Sequence, residues 1–228
     1  MIIRTDSTVF NTNADCIVNT INCVSFMGKG LALEFALRYP ELERIYKEQC
    51  ARKQIHTGIV YFYNINGQKI INFPTKFHFK YPSKIEWIEQ GLVYFINNYK
   101  NWNIKSVAFP ILGASNGGLN PIEVESLMIK YLSQLDIDVY ICKSKLVEGK
   151  EKDMVDAFKT TDIDDLSKIV KLNTKQIDNL KRNQQSIVKF HQISEIEGIG
   201  AVTYKSIFDY YYNNHNVEKK AVQLSLDI

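Results

Sequence analysis

The chain has 228 residues, 45% of them hydrophobic, and carries 28 Lys and Arg against 25 Asp and Glu. That apolar content supports a packed core and excludes a disordered protein, and the length suits one medium domain with an appendage or two small domains. The formal charge of +3 is compatible with a nucleic-acid partner but too weak to argue for one.

In chain order, Met1, Ile2, Ile3 and Arg4 read as a strand, with no basic and apolar leader of the signal-peptide kind. Residues 16–22 read as a second strand and residues 31–38 as a helix. Residues 59–63 and 69–73 flank Asn66-Gly67, the tight-turn signal of a β-hairpin. Ile85, Ile88, Leu92 and Phe95 carry a helical period through residues 83–99. A strand at 106–110, a helix at 121–135 opened by Pro121, and a strand at 138–142 follow. Alternating strands and helices predict a layered α/β domain with a mixed sheet over residues 1–148, then a small helical module. The charged, strand-poor stretch 149–163 reads as a linker, 164–215 as helices only, and 216–228 as a flexible tail.

Cys16, Cys23, Cys50 and Cys142 are widely spaced and form no CxxC pair, so neither a zinc ribbon nor a redox motif is indicated. Reduced thiols and a cytoplasmic location are expected. No apolar run is long enough to span a membrane. No metal-ligand cluster is visible, so a metal-independent, cofactor-free chemistry is expected.

Two glycine loops stand out. The strand containing Thr20 runs through Asn22 into Met27, Gly28, Lys29, Gly30 and Leu31, where a helix begins. Strand, glycine loop and helix is a physical recipe for holding phosphate: the backbone can approach closely, N–H groups point outward, and the helix N-terminus favours negative charge. The spacing is neither a Walker loop nor GxGxxG, and an ordinary turn before a helix would look the same on the glycines alone. The plan recurs at Pro110, Leu112, Gly113, Ala114, Ser115, Asn116, Gly117, Gly118 and Leu119, before Pro121. Two such loops at strand C-termini converge on one crevice and suit a diphosphate.

Between them lies Phe73-Pro74-Thr75-Lys76-Phe77-His78-Phe79-Lys80, following an apolar run. Lys76 has two readings: a solvated charge after a strand, the usual fate of lysine, or an amine at the mouth of the crevice.

The first block (Val18 to Val24 with Met27 to Ala32), the block Asn72 to Lys76 with His78, and the block Leu112-Gly113 with Asn116 to Leu119 resemble, in that order, the macrodomain fold. More narrowly they resemble its DNA ADP-ribosyl glycohydrolase antitoxin branch. The resemblance covers roughly residues 1–146 and implies a three-layer α/β/α architecture. Phe77 and Phe79 stand where the branch usually has Arg and Trp, Ala114-Ser115 where it tends to Cys-Gly, and Asn120-Pro121 where it tends to Asp-Trp.

The resemblance implies that ADP-ribose occupies the crevice, that Asp6 and Ser7 read the adenine end, and that the two loops hold the diphosphate and distal ribose. Asn22 would bond the distal ribose hydroxyls, donating and accepting at once. Lys76 would be essential for cleaving ADP-ribose from a DNA base, by covalent chemistry or by electrostatics. His78 and Lys80 would meet the DNA. The implied partners are ADP-ribosylated, single-stranded DNA and a cognate DNA ADP-ribosyltransferase toxin. The rival readings are a non-catalytic ADP-ribose reader, a toxin-binding antitoxin, and a hydrolase of free ADP-ribose derivatives.

Two features lie outside those blocks. Ile196, Gly198, Ile199 and Gly200 resemble the hairpin of a helix–hairpin–helix, with residues 187–190 as its first helix, a motif that offers backbone N–H groups to DNA phosphate. Residues 223–228 (Gln223, Leu224, Leu226 and Ile228 among them) resemble the short peptide that docks into a sliding clamp.

Overall fold

The computed structural model describes the backbone of residues 1–226, with side chains described through residue 214. The chain divides into two compact units, meeting in sequence between Leu146 and Val147.

The first unit is built on a six-stranded sheet in the order β1-β6-β5-β2-β4-β3. Its strands are β1 (Ile2–Thr5), β2 (Cys16–Asn22), β3 (Tyr61–Ile65), β4 (Gln68–Lys76), β5 (Ser106–Pro110) and β6 (Asp138–Cys142). All neighbouring pairs are parallel except the β3/β4 hairpin, which turns at Asn66 and Gly67, both at positive φ. β2 is buried along nearly all of its length, as a central strand covered on both faces must be.

Strand alternation sorts the core into two layers. Val18, Ile71, Val107, Phe109 and Ile141 pack against Ile88, Leu92 and Phe95 of α3 (Ile85–Asn98) and Val124, Met128 and Leu132 of α4 (Pro121–Leu132). Their neighbours Ile17, Ile70, Ala108 and Cys142 meet Phe35 of α1 (Gly30–Arg38) and Leu42 of α2 (Pro40–Ala51) on the other face. The expected three-layer architecture and the hairpin are both present. α2 was not anticipated.

β4 also differs from expectation. The strand does not stop before the proline; it continues through Pro74 and Thr75 to Lys76. β3 pairs only with Gln68 to Asn72, so Pro74 sits where one side of β4 has no ladder partner, the position a sheet tolerates for a residue without an N–H.

The second unit begins with a correction. The stretch expected as a linker forms α5 (Gly149–Thr160), whose Met154, Val155 and Phe158 are buried. α6 (Ile163–Val170) is capped by the Asp162 carboxylate, which accepts from Asp164 N, and α7 (Thr174–Asn183) by an Asn173/Gln176 capping box. α8 (Ala201–Leu226) closes the unit. Phe158, Phe190 and Tyr211 meet edge-on, so Tyr211 is a packing residue.

The glycine hairpin is there, with Gly198 at φ 85°. Its lead-in is a short 3-10 segment, Phe190–Glu195, rather than a helix at 187–190. Gln176 Nε2 donates to Gly198 O at 2.9 Å and ties the hairpin to α7. The clamp-like sequence at 223–228 lies outside the residues whose side chains are described, as does the whole of the expected tail, 216–228.

Candidate functional site

The C-terminal ends of β1, β2, β4 and β5 carry every residue singled out in the first unit, which is where an open α/β sheet holds its ligands. β1 delivers Asp6 and Ser7. The Asp6 carboxylate is half exposed and lies 3.8 Å from Lys145 Nζ. Its carbonyl accepts from Lys145 N and Leu146 N, fixing this rim of the site.

β2 delivers Asn22 and the first loop. Asn22 is only 6% exposed. Its Oδ1 accepts from Val24 N at 2.9 Å, from Tyr46 O–H at 3.1 Å and, weakly, from Phe26 N at 3.4 Å. Its Nδ2 donates to Phe26 O at 2.6 Å. The expected accept-and-donate contact to a ribose diol therefore needs correction: the acceptor is already spent on the loop, and one N–H remains. Asn22 shapes the loop in which Phe26, Met27, Gly28 and Lys29 sit.

Met27 is likewise an anchor. It is buried in a cluster with Ile21, Ala36, Tyr46 and Ile55, so its side chain holds the loop down from beneath. Thr20 and Leu31 are partly buried, Leu31 against the α1 layer. Lys29 precedes α1 and is exposed, placing a cation at that helix start.

Tyr46, on the unanticipated α2, is the residue bonded to this site that sequence reasoning missed. It is fully buried and donates to Asn22 O at 2.8 Å as well as to Asn22 Oδ1. Burial pushes its phenol far up, so it remains a donor at every working pH. Pro40 at the first helical position, acidic residues in the first turn and Leu42/Tyr46 at i, i+4 were the available signals of the helix.

β4 delivers Lys76. It is partly buried, and desolvation holds its ammonium pKa below the ordinary lysine value. Its Nζ donates to Asn116 O of the second loop and, at 3.4 Å, to Phe79 O. Cys23 N donates to Phe77 O and Cys23 Sγ to Lys76 O, stapling the start of the first loop to the end of β4. Burial raises the Cys23 thiol to about 11, so it is no thiolate nucleophile.

β5 delivers Pro110, Leu112 and Gly113, all buried, then the partly buried Ala114 and the exposed Ser115 and Asn116. The loop folds on itself: Leu119 N donates to Gly113 O and Ser83 N to Gly117 O. A Cβ on Gly117 would sit 2.1 Å from Gly113 O, so this close backbone approach admits only glycine. Gly118 and Leu119 lead out of the loop to Asn120, whose side chain caps α4 by accepting from Ile122 N. The two loops meet where a Cβ on Gly30 would lie 3.0 Å from Asn116 Nδ2. Lys76 thus stands beside the seam between them.

His78, partly buried, and the exposed Lys80 follow. His78 Nδ1 accepts from Lys80 N at 3.2 Å. Among the described residues no group of three or more His, Cys, Asp or Glu is gathered as a metal site, and no helix is long and apolar enough to cross a membrane.

The Macro domain family model matches residues 18–128. The DNA ADP-ribosyl glycohydrolase of Mycobacterium tuberculosis is 40% identical over 152 residues, covering 63% of this chain and 43% of that protein. A DNA ADP-ribosyl transferase–DNA ADP-ribosyl glycohydrolase fusion protein of Thermosipho africanus is 34% identical over 152 residues, 58% of this chain and 39% of that protein. The chain therefore spans less than half the length of the curated relatives it matches. Among solved structures, the macrodomain of Mycobacterium tuberculosis DarG is 39% identical with a TM-score of 0.61, covering 62% of this chain and 97% of that one. With a homologue matched almost end to end, and with the sheet, both loops and the β4 lysine in place, this chain belongs to the macrodomain family, on the branch that contains the DarG macrodomain.

Proposed function

We propose that the first unit removes ADP-ribose from a modified base in single-stranded DNA. The observation that carries this reading is the position of Lys76: an amine of lowered pKa at the end of β4, donating to the second glycine loop beside its contact with the first. A reader of ADP-ribose needs the two loops and Asp6 but has no use for a partly desolvated amine there. The names of the relatives, DNA ADP-ribosyl glycohydrolases, support the same reaction.

In this scheme the loops hold the diphosphate with backbone N–H groups, Lys29 adds positive charge, and Asp6 accepts from the adenine amino group. The distal ribose lies at the seam, where Lys76 reaches its anomeric carbon. The neutral amine takes a proton from the attacking water as oxygen bonds to that carbon. The electron pair of the C–N bond leaves on the base, and the lysine ammonium returns the proton to it, so free ADP-ribose and the unmodified base result. Asn22 does not touch the sugar diol as an acceptor; it sets the first loop beside the amine.

The modification has to be installed by a DNA ADP-ribosyltransferase, and the fused Thermosipho africanus relative supports such an enzyme as the partner of this chain. The deciding experiment follows release of ADP-ribose from ADP-ribosylated single-stranded DNA. Wild type releases it, whereas Lys76→Ala does not yet still binds ADP-ribose. Equal turnover by the two proteins rejects the assignment.

A further inference from the structure

Beside Lys76 the surface carries a run of rings that the chemistry above does not use. Phe26 is 46% exposed, Phe79 39% and Tyr81 65%. Phe26 and Phe79 lie 4.5 Å apart between centroids. His78 stacks on Phe79 at 4.5 Å and 25°, and Tyr81 follows His78 at 5.5 Å. Exposed aromatic side chains in such a continuous row are costly to leave in water and mark an interaction surface.

The row is held in place. Tyr81 N donates to His78 O and Lys80 N to His78 Nδ1, so residues 78–81 form a locked turn. Phe26 is fixed at the other end by its backbone contacts with the Asn22 carboxamide.

Charge selects the occupant. Residues 76–85 contain Lys76, Lys80 and Lys84 and no Asp or Glu, and residues 16–33 contain Lys29 and likewise no acid. Lys80 Nζ lies 5.9 Å from the centre of the Phe79 ring. Flat apolar faces interleaved with cations, and free of acids, match a polyanion that presents flat apolar faces. Single-stranded DNA is that partner, since a duplex keeps its base faces stacked inside.

We propose that Phe26, Phe79, His78 and Tyr81 form a stacking shelf for the unpaired bases flanking the modified nucleotide, with Lys80 and Lys84 along the phosphates. This deepens the reading of the site given above and rests on it for the identity of the substrate. The shelf makes the protein prefer a strand over an isolated modified nucleoside and discriminates little between flanking sequences, because every base has a face to stack.

The test measures kcat/KM of the full chain on an ADP-ribosylated single-stranded oligonucleotide and on the same ADP-ribosylated nucleoside alone, for wild type, Phe79→Ala and Tyr81→Ala. The ratio of oligonucleotide to nucleoside falls about tenfold in each variant, and Phe79→Tyr restores it. Tyr81 is mostly exposed, so its truncation leaves the fold intact and keeps the test informative should Phe79→Ala disturb the first loop. An unchanged ratio, or equal losses on both substrates, overturns the shelf. A wild type inactive on both substrates instead defeats the glycohydrolase reading. The shelf is then still decided by fluorescence anisotropy with a labelled, unmodified single strand: binding weakened by Tyr81→Ala, with a matching duplex bound more weakly than the strand, supports it, and binding indifferent to both changes refutes it.

Discussion

Asn22 and Lys76 are cross-strand partners in the β2/β4 ladder only because Thr75 is left over. Ile21 pairs with Pro74, so an uninterrupted register would oppose Asn22 to Thr75. The bulge inserts the buried Thr75 as an extra residue and brings Lys76 level with Asn22. A bulge of this kind re-aims a side chain at the end of a strand, and here it delivers the amine to the second loop. The loop-setting amide and the lysine amine thereby belong to directly opposed residues.

That arrangement makes the free amine, rather than positive charge alone, the feature to test. Lys76→Arg retains a cation at the end of β4 but is never neutral at working pH. It is expected to be as inactive as Lys76→Ala, with at least about a hundredfold loss in kcat/KM on ADP-ribosylated DNA and roughly retained ADP-ribose affinity by calorimetry. An active arginine variant would reduce Lys76 to an electrostatic partner.

The same reasoning fixes a pH dependence. Desolvation lowers the Lys76 pKa, so the neutral amine becomes abundant at a lower pH than for a solvated lysine. If that form acts, kcat/KM climbs with pH up to the lowered pKa and then levels off. If the ammonium were the acting form, the profile would fall over that interval. Initial rates over about pH 6 to 10 on one oligonucleotide separate the two signs.

Tyr46→Phe removes one hydroxyl and two hydrogen bonds, to Asn22 O and Asn22 Oδ1. Both acceptors lie in a buried place, so the expected loss is about 1–3 kcal/mol of stability, read by urea unfolding. Because those bonds hold the residue that shapes the first loop, turnover should fall further than ADP-ribose binding does. A variant that unfolds earlier but keeps wild-type turnover would assign Tyr46 to packing only.

Tyr46 also illustrates what could be read in advance. The apolar runs of β2, β5 and β6 and the Asn66-Gly67 turn announce themselves, because a doubly covered sheet demands near-continuous apolar runs. α2 buries only Leu42 and Tyr46, and half of its remaining positions are charged, so its stripe is too thin to stand out. α5 hides in the same way, with Met154, Val155 and Phe158 diluted by charges until the segment resembles a linker. Lys76 was identifiable as a candidate from its block of neighbours. The bulge at Thr75 was not, since nothing in Pro-Thr-Lys marks which residue a distant strand leaves unpaired. The internal use of the Asn22 carboxamide was equally invisible, because it depends on a loop and a helix meeting in space.

Gly117 gives the sharpest structural prediction. A methyl group there would stand 2.1 Å from Gly113 O, a backbone atom that cannot rotate away, and 2.4 Å from Ser83 Oγ, which is buried. Gly117→Ala must therefore open the second loop. Overpacking of this sort costs about 1–3 kcal/mol. The displacement also moves neighbouring Asn116, whose carbonyl accepts from Lys76, so both ADP-ribose affinity and turnover should drop by at least about tenfold. Gly200→Ala serves as the control: no atom lies within 4 Å of its Cβ position, and the substitution should leave both readouts within about twofold of wild type. If Gly117→Ala binds ADP-ribose as tightly as that control, the second loop is not part of the ligand cradle and Lys76 must be serving a different cavity.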